Sequence, residues 1–133
     1  MSNFKIFKGT LPTPLLGTLS ASIDGNQTSS LNELYAHLKL ALHLPDYFGN
    51  NLDALSDVLC DLSWVKEHKV DIVITNYSGF LAKETTNTRQ DVLKILNDAA
   101  DEWKKAKGKN KLSFQLHLEA NPLFDADIKT ALD

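Results

Sequence analysis

The chain has little that would tie it to covalent cross-links, membranes or nucleic acid. Cys60 is its only cysteine, so no intramolecular disulfide can close. No second Cys or His stands near it at the spacing of a structural zinc site. No apolar run approaches the roughly 18 residues that span a bilayer. Met1 is followed by polar Ser2 and Asn3 instead of a basic and then apolar export signal, which predicts a cytoplasmic location and no membrane partner. Neither sign of charge dominates. The net charge of −3 argues against nucleic acid as a direct ligand, since such binders cluster Lys and Arg. The one basic cluster, Lys104, Lys105, Lys107, Lys109 and Lys111 around Gly108, lacks interleaved aromatics and reads as a solvated helix end. Repeats and low-complexity tracts are missing, as are G-x-S-x-G, P-loop and H-E-x-x-H motifs. His37, His43, His68 and His117 are scattered and read as ordinary side chains.

What is present is an ordinary globular composition, 43% hydrophobic and 23% charged over 133 residues, enough for one core. Phe4 to Phe7 can pair as a short strand. Pro12 and Pro14 follow it, so residues 1–19 read as an N-terminal extension. Ser20 to Ile23 reads as a strand ending at the turn Asp24-Gly25-Asn26. Ser30 with Glu33 forms a capping box, and Leu31, Leu34, Tyr35, Leu38 and Leu42 continue a helix that Pro45 stops. Asn50 is the expected N-cap of a second helix to about Leu62 or Trp64. Val70 to Thr75, VDIVIT, reads as a central strand buried on both faces. A third helix is expected from Thr88 as N-cap, with Asp91 in its first turn, to near Gly108, burying Val92, Ile95, Leu96, Ala99 and Trp103. Leu112 to Leu118 alternates as a strand with one wetter face. After Pro122 the tail from Leu123 to Leu132 can form one more short helix, with Asp125 as its cap. This order predicts an α/β fold with a three-stranded parallel sheet, its domain spanning 20–118 and followed by a C-terminal tail at 119–133.

The chemistry concentrates on the second helix. Leu52, Leu55, Leu59 and Leu62 share one side of it, while Asp53, Asp57 and Asp61 form a stripe nearly opposite. Three like charges on successive turns cost a few tenths of a kcal/mol per pair, and no Lys or Arg in the helix relieves them. Asp53 has a structural reason to be there, because a carboxylate in the first turn complements the helix dipole. Asp57 lies past that turn, and Asp61 near the C-terminal end is mildly unfavourable. In the preceding loop, Pro45 to Asn51, Tyr47 is expected at the surface and Phe48 in the core. An exposed aromatic beside carboxylates is the kind of anchor found at interface hot spots.

The segment PDYFGNNLDALSDVLCDLSW, residues 45–64, resembles the signature of the barstar family, intracellular inhibitors of barnase-type ribonucleases. The likeness extends more loosely over about residues 20–118. It implies a barstar-like fold and a partner-binding surface of Tyr47, Gly49, Asn51, Asp53 and Asp57, with Asp57 at the family's central aspartate. Asp98 and Glu102 on the third helix line up with two further contact acids. Ser56, Cys60 and Asp61 depart from the family pattern at positions where it has Trp, Thr and Gly. The implied partner is a basic ribonuclease or toxin nuclease domain, bound by a free monomer with no cofactor or metal. Two other readings use the same carboxylates: an interaction domain for another basic partner, or an enzyme employing them as acid and base or as metal ligands.

Overall fold

The computed structural model describes residues 2–10, 16–108 and 111–133, so Pro12, Pro14 and Lys109 lie outside the described residues. In chain order the elements are β1 (Phe4–Phe7), β2 (Thr18–Asp24), α1 (Leu31–Ala41), α2 (Leu52–Asp61), β3 (Lys69–Thr75), α3 (Thr86–Lys105), β4 (Ser113–Glu119) and α4 (Pro122–Ala131). All strand pairs are parallel, in the order β1-β4-β3-β2.

The sheet therefore has four strands, not the three expected. The extra one is β1, which pairs with β4 from Phe4↔Leu116 to Phe7↔Glu119. Its end is tied by Ala120 N–H donating to Phe7 O at 2.9 Å. Phe4 meets the ring of Phe124 on α4 edge-on at 5.1 Å. A four-residue strand carries too little alternation to announce its neighbour in sequence. β3, as expected, is internal and buried on both faces from Val70 to Ile74.

Strand alternation places Ala21, Ile23, Val70, Ile72, Ile74, Phe114, Leu116 and Leu118 in one apolar cluster with side chains from all four helices. Two turns of 3₁₀ helix, Gly25–Gln27 after β2 and Tyr77–Gly79 after β3, pack backbone against backbone. A Cβ on Gly25 would stand 2.0 Å from Asn76 O, so only glycine fits there.

The caps correct four boundaries. Asn51, not Asn50, caps α2: its backbone is extended and its Oδ1 accepts from Ala54 N–H at 2.8 Å. Asn50 instead sits at φ 50°, in the left-handed region that asparagine tolerates, and turns the loop. α2 ends at Asp61 because Leu62 adopts φ 49° while burying its side chain. α3 begins three residues before the expected site, with Thr85 Oγ1 accepting from Thr88 N–H at 3.1 Å. α4 is capped by Asn121, whose Oδ1 accepts from Leu123 N–H at 2.9 Å, and Asp125 falls in its first turn. The capping box at Ser30 stands as expected, with Glu33 N–H donating to Ser30 Oγ at 3.2 Å.

Candidate functional site

The loop into α2 is held from below and presented from above. Phe48 is buried and meets the Tyr35 ring of α1 edge-on at 5.6 Å, while its N–H donates to Pro45 O at 3.0 Å. That anchor turns the neighbouring Tyr47 outward, where it is 73% exposed. Gly49 and Asn50 are exposed at the turn. Asn51 Nδ2 donates to Gly49 O at 3.2 Å, so both ends of its side chain serve the loop and the helix start.

Burial of Leu55, Val58 and Leu59 fixes the rotation of α2. The opposite side shows Asp53, Asp57 and Asp61 to solvent. Among the described residues none of these three has an ion-pair partner. Among the described residues, the stripe is thus three carboxylates with no cation paired to them.

α3 packs beside α2, and Trp103 Nε1–H donates to Leu59 O at 2.8 Å across the seam. This brings two more acids to the same side. Asp98 is 3.2 Å from Lys94 Nζ and Glu102 is 3.8 Å from Lys105 Nζ, all of them exposed side chains. Cys60, exposed on α2, lies beside Glu102 and Trp103 of α3. Its thiol is pushed up from its ordinary value first by burial and then by the fields of Glu102, Asp57 and Asp98. The seam at Cys60 therefore feels three of the sequence-nominated carboxylates at once, with Asp53 one turn earlier on α2. In sequence Cys60 reads only as a thiol on a helix. Its i+3 spacing from Asp57 is the available signal, but nothing in the sequence says that α3 closes the other side.

Chemically, an open acidic surface of this kind accepts hydrogen bonds from cations and offers no enclosed reaction chamber. A cavity of about 510 Å³ lies at the far ends of α2 and α3, between Asp61, Lys66, Trp103 and Lys107, away from Asp53 and Asp57. Among the described residues no three His, Cys, Asp or Glu side chains converge to hold a metal ion, and no helix is long and apolar enough to cross a membrane.

The family model described as Barstar (barnase inhibitor) matches residues 18–119, from the first residue of β2 to the last of β4. The chain is also similar to the protein named "Putative ribonuclease inhibitor YrdF" of Bacillus subtilis (strain 168). The two are 36% identical over 87 residues, which cover 62% of this chain and 86% of that one. β1 and α4 lie outside the span matched by the family.

Proposed function

This chain belongs to the barstar family, and from that premise we propose that it inhibits a basic ribonuclease or toxin nuclease domain by covering its active site with α2 and the preceding loop. The observation that carries this reading is the unneutralised stripe on α2, flanked across the seam by Asp98 and Glu102.

A ribonuclease gathers Arg, Lys and His around the site of an anionic transition state. A carboxylate placed there accepts charge-assisted hydrogen bonds from several of them at once. Asp57, mid-helix and unpaired, is the group for that position. Asp53 stabilises the helix start and faces the same partner. Tyr47 supplies the aromatic anchor at the rim. Gly49 and Asn51 contribute loop shape and backbone, because the Asn51 side chain is already engaged. Asp98 and Glu102 extend the acidic rim on α3. The protein acts as a monomer without cofactor or metal.

The test is titration of a barnase-type ribonuclease with the full chain, following RNA hydrolysis and heat of binding. The expected result is a 1:1 complex without turnover of its own. Asp57→Ala should weaken it by at least about 2 kcal/mol, roughly 30-fold in Kd, while far-UV circular dichroism and Tm stay as in the parent. Undiminished inhibition by Asp57→Ala would remove Asp57 from the centre of the site. Recovery of a different basic protein as the stoichiometric partner would replace the nuclease by that protein.

A further inference from the structure

Asp71 on β3 and His117 on β4 alternate with core residues and so point to the other face of the sheet. Their side chains are 8% and 15% exposed. Asp71 Oδ1 and His117 Nε2 stand 3.8 Å apart, and both atoms are buried without a hydrogen-bond partner among the described residues. Buried polar atoms are rarely left this way. Two cations share the neighbourhood. Lys69 Nζ is 3.9 Å from the same Asp71 oxygen, and Lys5 of β1 stands directly opposite His117 in the register.

We propose that this cluster is an acid-sensitive latch, in which protonation of His117 loosens the edge strand β1 from β4. With a neutral imidazole, Lys5 faces no charge across the seam. One added proton sets an imidazolium opposite Lys5 and near Lys69, leaving a single carboxylate to serve three cations. Like charges directly opposite on adjacent strands are destabilising. Among the described residues, the other ionisable side chains that the strands bring to this face are Glu119, opposite Phe7 on β1, and Asp24, at the end of β2. At the level of Asp71, β2 offers only Ser20 and Ser22, and residues 11–15 contain no ionisable side chain.

The direction of the effect follows from linkage. Burial first, and then Lys5 and Lys69, hold His117 below the ordinary histidine value of 6.5, with Asp71 opposing. The folded state therefore binds this proton less readily than the unfolded chain. The associated stability is present above that value and is lost as pH falls through and below it. β1 yields first because it is four residues long and hydrogen-bonded to one neighbour only. Its start is held by Asn3, which contacts Asn97, Asp101 and Lys104 of α3, so the release is at the Phe7 end.

The Ala120 amide, which donates to Phe7 O, reports that end. Hydrogen exchange of the full chain, corrected for intrinsic rates, should show Ala120 protection falling roughly tenfold from about pH 7.5 to about pH 5, while amides between β2 and β3 hold. In His117→Gln, uncharged throughout, the pH dependence should vanish. In Lys5→Gln, an exposed position, it should shrink. Equal Ala120 protection at the two pH values would overturn the latch, as would a drop unchanged in His117→Gln. Should that variant fail to fold, an unchanged drop in Lys5→Gln would overturn it equally.

Discussion

Arg89, Asp127 and Tyr77 are three buried polar residues that sequence separation hides from one another. Arg89 Nε donates to Asp127 Oδ2 at 2.6 Å, Nη2 to Oδ1 at 3.3 Å, and the Tyr77 hydroxyl donates to Oδ2 at 2.7 Å. Arg89 lies 38 residues and Tyr77 50 residues from Asp127, and no periodicity joins them. Removing one member of a buried ion pair leaves the other charge uncompensated. Asp127→Ala should thus lower stability by about 3–5 kcal/mol in denaturant unfolding, whereas Tyr77→Phe should cost only about 1–2 kcal/mol. Burial and Asp127 push the Tyr77 hydroxyl far above its ordinary value of 10.0. Its contribution is accordingly present below that value and lost as pH rises above it, an alkaline sensitivity that Tyr77→Phe should remove. The exposed residues were easier to read. Tyr47 at the surface and Phe48 in the core follow from one residue being needed to hold the loop and the other being free of that duty.

At the scale of elements, amphipathic pattern located the helices well and their first residues poorly. The side of α2 that faces the core was legible because leucines repeat at helical spacing. The cap was not, since Asn50 and Asn51 both suit it and only backbone angles separate them. In α3 the expected cap, Thr88, lies three residues inside the helix, and Thr85, of the same residue type, takes its place. Asn51→Ala should cost about 1 kcal/mol and disturb the candidate binding loop, which parallel measurements of Tm and of partner affinity would reveal. α1 closes differently: His43 takes φ 55° and Leu44 N–H donates to Lys39 O at 3.1 Å, the end geometry that glycine favours. His43→Gly should therefore leave stability unchanged or raise it by up to about 1 kcal/mol, and a clear loss would show that the His43 side chain has a packing role. β1, although an outer strand with Ile6 half exposed, is short and carries Lys5 with Lys8 just beyond it, features that discourage edge-to-edge association.

For the molecule as a whole, strand–helix order made a parallel α/β sheet legible, but the sequence did not reveal that β1 extends it or that α4 packs against β1. β1 and α4, both outside the family-matched span, meet through Phe4 and Phe124, and α4 supplies the counter-charge to Arg89. Deleting residues 121–133 should consequently destabilise the entire domain instead of trimming a tail, and would appear as a large fall in Tm. The acidic surface was legible as a pattern on one helix; its partnership with α3 required the fold. Because its carboxylates are exposed, association with a basic partner should slow markedly as salt rises, with a smaller change in dissociation, which stopped-flow mixing can separate.

The strand order also has a temporal side. Phe4 pairs with Leu116, so β1, made before β2, β3 and β4, is placed only after β4 has been made. Until β4 emerges, β1 has no template, and until β1 arrives, one edge of β4 stays open to other chains. Vectorial synthesis therefore makes β1, the earliest of these four strands to be made, one of the last to settle, and the interval before that closure is when the sheet is most exposed to misassembly.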